Sequence, residues 1–219
     1  MAYFLGMEIM QKIDKIFIYQ KKYAKEILKK FKMEDCKSMS THMCHKEKLS
    51  KNDETDKVDV ALYRRLIGCL MYLIATRPNI LHDSNKKVLR YVRGTPNFGI
   101  KFNTGLKCSL QGYSDWSRSI DDIRSTSSYC FSFGSGVFSW CCKKQEIIAQ
   151  STVEIEFIIA TTAANQALWG VQKEGSVKLK YCKTELQLAD IFTKALPRNK
   201  FEFLKEKLGI YSNSSKEEC

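Results

Sequence analysis

The hydrophobic pattern changes its period near residue 98, and this change limits the folds that the chain can adopt. Before it, apolar residues recur at helical spacing, most clearly over residues 61–75. After it, apolar and polar residues alternate over 106–111 and again over 129–133, and a Gly-Ser-Gly turn leads into a third segment over 137–140. The sequence therefore predicts helices followed by an antiparallel meander, which is a mixed α+β fold.

Four helices are predicted around the strands. A strand over 16–19 precedes a basic helix that carries Tyr23, Ile27 and Phe31 on one side. Helices over 61–75 and 86–92 end before Pro78 and at Gly94 with Pro96. The apolar face predicted for each of the two longest helices is as follows: Leu62, Leu66, Leu70 and Leu73 for the helix over 61–75, and Val153, Phe157, Ala160, Ala164 and Leu168 for a helix from about 151 to 169.

The composition indicates a polyanionic partner. The chain has 219 residues and a formal net charge of +12, from 36 Lys and Arg against 24 Asp and Glu. Nucleic acid is the partner that such a surplus favours, and a merely soluble basic surface is the alternative. We expect no membrane association and an intracellular location, cytoplasmic or nuclear, because neither a signal peptide nor an apolar run of spanning length is present.

The nine cysteines do not predict a zinc site. No pair has zinc-ribbon spacing, so free thiols in a reducing compartment are the simplest interpretation. Cys36, His42, Cys44 and His45 lie in a polar loop without a second ligand pair at the required spacing. Asp121 and Asp122 are interpreted as turn residues rather than as a metal pair.

Two carboxylate motifs are the candidate site. Asp115 ends the alternating segment Gly112-Tyr113-Ser114-Asp115, and Glu154 and Glu156 lie in the first turns of the 151–169 helix. Residues two apart on a helix point to nearly opposite sides. Glu154 fits a capping box with Ser151, whereas Glu156 shares its side with small alanines that allow close approach to a sheet. We therefore interpret Glu154 as structural and Glu156 as the site residue.

Several motifs together resemble one family. They occur in the following order: Phe4-Leu5-Gly6-Met7-Glu8, Tyr63-Arg64-Arg65-Leu66-Ile67-Gly68, Tyr72-Leu73, Thr76-Arg77-Pro78, Val88-Leu89-Arg90-Tyr91-Val92-Arg93-Gly94-Thr95, Gly112-Tyr113-Ser114-Asp115, Arg124-Ser125-Thr126-Ser127, Ser139-Trp140, Lys143-Lys144-Gln145, Glu154-Ile155-Glu156-Phe157 and Leu188-Ala189-Asp190-Ile191-Phe192-Thr193-Lys194-Ala195-Leu196-Pro197. With these motifs the chain resembles the C-terminal part of a Pol polyprotein from a plant copia-type LTR retrotransposon. The motifs span nearly the whole chain in family order, which makes the resemblance specific.

The resemblance implies two modules and a tail. Residues 1–105 are similar to the end of a reverse transcriptase, a helical remnant of its primer grip, thumb and connection. Residues 106–196 are similar to a truncated ribonuclease H-like domain, a three-stranded meander with helices. Residues 197–219 are expected to form a C-terminal helix and a tail that is disordered from Tyr211. Because the resemblance starts downstream of the paired aspartates of the palm, we expect no polymerase activity.

The implied activity is cleavage of the RNA strand of an RNA–DNA hybrid by a ribonuclease H, with Mg²⁺ as cofactor. In that family four carboxylates hold two metal ions. Residue by residue, the resemblance assigns Asp115, Glu156 and Asp190 as catalytic and metal-binding residues, with Asp190 at the start of the final helix. The residues expected to contact nucleic acid are Lys21, Lys22, Lys25, Arg124, Lys143 and Lys144.

The sequence departs from the family pattern at the third catalytic aspartate. After Trp169 the chain passes directly to residues 170–182, and no acid stands where a central strand would end. Loss of one carboxylate weakens a shared metal site, so we expect impaired catalysis with a retained nucleic-acid-binding surface. A poorly folded transposon remnant without function and a still-active Mg²⁺-dependent ribonuclease H are the alternatives.

Overall fold

The computed structural model describes residues 2–41, 59–81, 86–105, 109–118, 124–146, 148, 150–170 and 180–213. Its strands are Ala2–Phe4 (β1), Met7–Gln11 (β2), Lys15–Tyr19 (β3), Phe98–Asn103 (β4), Leu110–Arg118 (β5), Ser125–Phe133 (β6), Gly136–Lys144 (β7) and Ile210–Ser212 (β8). Its α-helices are Lys21–Lys30 (α1), Val60–Leu73 (α2), Lys86–Gly94 (α3), Thr152–Gly170 (α4) and Arg198–Lys207 (α5). A short 3-10 helix, Leu188–Phe192, is called the Asp190 turn below.

The first sheet has five antiparallel strands in the order β1-β2-β3-β4-β8. The predicted strand over 16–19 is confirmed as β3, which pairs Ile18 with Ile100 of β4. Residues 2–103 supply four of the five strands, so the description of this part as a helical remnant is incomplete. The reason is that the β1–β2 and β2–β3 turns occur in short polar and glycine segments, which periodicity over longer windows does not resolve.

The second sheet is the predicted antiparallel meander, β5-β6-β7. Gly134 adopts a φ of +62° in the tight turn between β6 and β7, a conformation that favours glycine. The mixed α+β class is therefore confirmed.

One main core contains residues from both sheets and from most of the helices. It includes Ile27 of α1, Val88 of α3, Ile100 of β4, Cys130 of β6 and Leu204 of α5. The tail takes part as well, because Ile210 is buried and β8 pairs with the start of β4. The expectation of a tail disordered from Tyr211 is therefore wrong for residues 211 and 212. These residues pair with β4, more than a hundred residues earlier, and such a distant partner cannot be recognised from the local sequence.

Helix α4 does not use the predicted apolar face. Val153 and Phe157 are each 72% exposed, whereas Ile155 and Ile159 are buried. Residues 153–160 are apolar on almost every side of the helix, so periodicity alone could not identify the buried face. Leu62, in the first turn of α2, is likewise exposed, while Leu66, Leu70 and Leu73 are buried as predicted.

Helix α4 covers the face of the meander opposite to the main core. It contacts β5 and β6. Cys130 of β6 belongs to the main core. The next residue, Phe131, points to the other face of the sheet, where it is buried without being part of the main core. Ile155 and Ile159 of α4 are also buried and also lie outside the main core. None of the helices that the structure describes is long and apolar enough to cross a membrane.

Candidate functional site: a lysine-bridged carboxylate pair

Three side chains in a row across the meander form the floor of the site. Asp115 of β5 is opposite Ser128 of β6, and Ser128 is opposite Cys142 of β7. Directly paired residues of an antiparallel sheet point to the same face. This face is also the one that carries Cys130 and the main core, since Ser128 and Cys130 are two residues apart.

The Asp190 turn lies on this row and is fixed to it by side chains. The Ser128 hydroxyl donates to the Ala189 carbonyl at 3.0 Å, and the Cys142 thiol donates to the Phe192 carbonyl at 3.5 Å. Gln187 connects the start of the turn to β5, because its Nε2 donates to the Ser114 carbonyl at 3.0 Å. The turn is therefore attached to all three strands of the meander.

This attachment brings Asp190 close to Asp115, and a lysine bridges them. The Lys194 Nζ lies 2.8 Å from Asp115 Oδ2 and 2.7 Å from Asp190 Oδ1. The Asp190 side chain is 2% exposed and the Asp115 side chain is 16% exposed, whereas the Lys194 side chain is 37% exposed. One ammonium group thus pairs with two largely buried carboxylates from the solvent side.

A second lysine completes the charge balance. The Lys200 Nζ lies 2.6 Å from Asp190 Oδ2 and also donates to the Thr184 carbonyl at 3.0 Å. The Thr193 hydroxyl donates to Asp115 Oδ2 at 3.4 Å. Two carboxylates and two ammonium groups make the cluster neutral, which is the arrangement expected for buried charges.

The two aspartates have pKa values shifted in opposite directions. Burial raises the pKa of Asp115 above its ordinary value. Lys194 lowers this pKa and the neighbouring Asp190 carboxylate raises it, and the pKa stays raised overall. Burial also disfavours the ionised form of Asp190, but hydrogen bonds from Lys194 and Lys200 outweigh this and lower its pKa. The two carboxylates therefore titrate as a coupled pair, in which the pKa of Asp115 is raised and the pKa of Asp190 is lowered.

A pH dependence follows from the lowered pKa of Asp190. Its ordinary value is 3.8, so its contribution to stability is fully present above about pH 4 and is lost as pH falls further. We expect Asp190→Asn to cost about 2 kcal/mol of unfolding free energy at pH 6. This difference from the wild type should shrink progressively below pH 3.8 in urea unfolding measured at several pH values.

Asp115→Asn is the matched control, because the pKa of Asp115 is raised. At neutral pH the ionisation of Asp115 lowers the free energy of unfolding of the wild type, because its pKa is raised in the folded state. This loss disappears as pH falls towards 3.8. Relative to Asp115→Asn, the wild type should therefore gain stability between neutral pH and pH 3.8. The same trend in both variants would contradict the assignment of the two shifts.

Glu156 is not brought to this pair. It is exposed on α4, and α4 covers the other face of the meander. Glu154 has the predicted capping role: the Ser151 hydroxyl accepts from the Glu154 backbone N–H at 3.1 Å, and Glu154 Oε2 accepts from the Gln150 backbone N–H at 2.7 Å. Of the three carboxylates that the resemblance assigns, the structure joins only Asp115 and Asp190.

The residues of this site do not fit a bound Mg²⁺ ion. In the described part of the chain, no three His, Cys, Asp or Glu side chains are grouped so that they could hold a metal. The position between Asp115 and Asp190 is taken by the Lys194 ammonium group. Mg²⁺ prefers octahedral oxygen ligands, and two neighbouring ammonium groups would repel it.

The predicted nucleic-acid contacts fall on two surfaces. Lys22 and Lys25 lie on the exposed side of α1, opposite the buried Ala24, Ile27 and Leu28. Lys29, which was not among the predicted contacts, lies on the same exposed side. Lys21 is half-buried in the first turn of the same helix. Lys143 and Lys144 at the end of β7 and Arg124 before β6 are exposed, and Lys143 pairs with Glu146 at 2.8 Å.

Sequence reasoning missed the two lysines of the site. Lys194 is four residues after Asp190, a spacing that predicts an ion pair on a helical turn. Lys200 had no such signal, because Pro197 separates it from the turn. The same proline explains why Asp190 is not at the start of the final helix: Pro197 is the N-cap of α5, and Asp190 lies in a separate 3-10 turn.

The remaining predictions concern the possible zinc ligands and the aspartate pair. Most of these residues lie outside the described part of the chain, namely His42, Cys44, His45, Asp121 and Asp122. Cys36 is described and is a free, half-buried thiol.

Comparison with known proteins identifies relatives among transposon polyproteins. The chain is 30% identical to the retrovirus-related Pol polyprotein from transposon TNT 1-94 of Nicotiana tabacum, over 95% of this chain and 21% of the polyprotein. It is 27% identical to the retrovirus-related Pol polyprotein from transposon RE1 of Arabidopsis thaliana, in an alignment that covers 95% of this chain and 19% of that protein. The chain thus spans about a fifth of the length of these polyproteins.

A shorter relative matches over most of its length. The chain is 33% identical to an uncharacterized mitochondrial protein of Arabidopsis thaliana, over 76% of this chain and 77% of that protein.

The alignment with the Nicotiana polyprotein extends over 285 residues, more than the 219 of this chain, so the polyprotein has segments that this chain lacks. No protein-family model matches the chain, and no solved structure matches it at a significant level.

Proposed function

Because the chain belongs to the family of retrotransposon Pol-related proteins, we propose that it is a nucleic-acid-binding module that does not cleave its ligand. The observation that carries the proposal is the Lys194 ammonium group, which lies within 2.8 Å of both Asp115 and Asp190. A ribonuclease H needs these carboxylates to hold metal ions. In this chain the charges of Asp115 and Asp190 are neutralised by Lys194 and Lys200. Glu156 is exposed on α4, on the other face of the meander.

The basic surface supports the binding part of the proposal. The acidic site residues are paired internally, while the exposed side of α1 presents Lys22, Lys25 and Lys29 at helical spacing. A row of ammonium groups along one helix face can follow a phosphate backbone, and binding then releases condensed counterions. An RNA–DNA hybrid is the ligand that the family resemblance implies, and its backbone would supply the charge that this helix face recognises.

Binding is tested with a labelled RNA–DNA hybrid at several salt concentrations. We expect Lys22→Gln/Lys25→Gln/Lys29→Gln to weaken binding and to reduce the slope of log affinity against log salt by about 2 to 3, at about 0.9 per lost phosphate contact. A matched control, Lys180→Gln/Lys183→Gln/Lys207→Gln, removes the same charge from exposed positions outside the predicted surface. Equal losses in the two triple variants would show that only net charge matters.

Cleavage is tested on the same hybrid with Mg²⁺. The wild type should produce no more product than Asp115→Asn, because Lys194 and Lys200 neutralise the carboxylate pair. Product that this substitution abolishes would overturn the non-catalytic part of the proposal. A cooperative thermal melt of the wild type distinguishes a folded module from a poorly folded remnant.

A further inference from the structure

We propose that the exposed side of α4 is a dimer interface, against which α4 of a second copy of this chain packs in the antiparallel direction. This side is called the outer stripe below and consists of Val153, Phe157, Ala160 and Ala164. Such a dimer requires neither nucleic acid nor the carboxylate pair, so it is independent of the proposed function.

The outer stripe is apolar but faces solvent. Its members are four, three and four residues apart, a spacing that places them on one side of the helix. Val153 and Phe157 are each 72% exposed, whereas Ile155 and Ile159, on the side of α4 that meets the sheet, are buried. A helix that is apolar on opposite sides is normally covered on both. Neighbouring exposed apolar side chains of this kind mark a protein interface.

Charge disfavours nucleic acid on this side of α4 and favours a second copy. No Lys or Arg occurs between Lys144 and Lys173, which is the longest such stretch in a chain with a net charge of +12. Glu154 and Glu156 lie beside the outer stripe and are exposed, so they repel a phosphate backbone. Two copies that each carry a positive net charge repel one another least along a helix without Lys or Arg.

The order of residue sizes makes the outer stripe complementary to itself in the antiparallel direction. Two large side chains, Val153 and Phe157, precede two small ones, Ala160 and Ala164. In an antiparallel pair around a two-fold axis, Phe157 packs against Ala160 of the second copy and Val153 packs against its Ala164. Each large side chain therefore meets a small one. A parallel pair would place large side chains against large ones and leave a gap between the alanines.

The two glutamates favour the same direction. In a parallel pair, Glu154 and Glu156 would lie beside the same residues of the second copy, and like charges repel. In the antiparallel pair, the two Glu154 residues are offset by about nine residues, or roughly 13 Å along the helix axis at 1.5 Å per residue. The two Glu156 residues are offset by about five residues, or roughly 7 Å. Size and charge therefore select one direction.

The contact is small, so we expect a weak dimer. Stable interfaces contain roughly 20–30 residues on each side, whereas the outer stripe offers four. A dissociation constant on the order of 100 µM is typical of such a small, transient contact.

The test is sedimentation velocity of the full chain at concentrations up to about 1 mM, without nucleic acid. We expect the wild type to form dimers and Phe157→Gln to weaken them at least about tenfold, because a central aromatic side chain carries much of the binding energy. Phe4→Gln is the matched control and should leave the equilibrium unchanged, since Phe4 of β1 is 60% exposed in the other sheet. A wild type that stays monomeric at about 1 mM overturns the proposal. Equal weakening by the two variants overturns it as well.

An exchange of residue sizes tests the antiparallel register. Ala160→Phe alone should weaken the dimer, because Phe157 then meets another large ring. Phe157→Ala/Ala160→Phe again pairs large with small, so it should dimerise more tightly than Phe157→Ala or Ala160→Phe. A double variant no tighter than these contradicts the register and with it the proposal. Thermal melts show which variants are folded; if Ala160→Phe is not, Val153→Ala/Ala164→Phe provides the same comparison at the second pair of positions.

Discussion

Replacing Phe201 by alanine is expected to lower the free energy of unfolding by about 3–5 kcal/mol, the usual cost of a large aromatic deletion in a core. Phe201 of α5 is 2% exposed. Its ring meets that of Tyr91 of α3 edge to face, with ring centroids 5.8 Å apart and planes at 83°. The substitution therefore removes a ring contact between the C-terminal helix and a helix about 110 residues earlier in the chain.

The same helix offers a matched control. Phe203→Ala removes the same number of atoms two residues further along α5, but Phe203 is 39% exposed. It should cost less than about 1 kcal/mol. Urea unfolding followed by circular dichroism compares the two variants, and equal losses would mean that α5 does not pack as described.

Replacing Asp190 by alanine is expected to cost about 3 kcal/mol, because removing one partner of a buried ion pair leaves the others uncompensated. The Asp190 side chain is 2% exposed and accepts from both Lys194 and Lys200. In the alanine variant Lys200 loses its carboxylate, and the Asp190 turn loses the charge that ties it to α5. Urea unfolding at pH 7 measures the loss.

Glu185→Ala serves as the control for this prediction. Glu185 is exposed in the neighbouring 3-10 helix Thr184–Leu186. Its removal should change the unfolding free energy by no more than about 0.5 kcal/mol. A comparable loss in Glu185→Ala would indicate a general charge effect along residues 184–194 rather than a specific role for the buried carboxylate.

Local patterns predicted the secondary structure better than they predicted which face of each element is buried. Alternation and the Gly134 turn were sufficient for the meander, because side chains of a strand change face at every residue. Periodicity could not select the buried side of α4, because the six apolar residues among positions 153–160 are spread around the helix. Contacts of α4 with β5 and β6 decide that question, and such contacts are not local in sequence.

The site was predicted in part. The pairing of Asp115 with Asp190 was expected only from the family resemblance, because no local rule relates residues 75 positions apart. The Asp190–Lys194 spacing could have indicated an ion pair, whereas Lys200 reaches Asp190 only because the chain turns at Pro197. Glu156 was assigned by the same resemblance and by its helix side, and it is exposed on α4 instead.

The pairing of β8 with β4 has a consequence for synthesis on the ribosome. β4 ends at Asn103, but the strand that covers its edge, Ile210–Ser212, emerges more than a hundred residues later. At about 5–20 residues per second, translation leaves that edge uncovered for roughly 5–20 s. During this interval the nascent chain presents unpaired backbone groups beside apolar residues, which is the state that chaperones bind and from which aggregation begins.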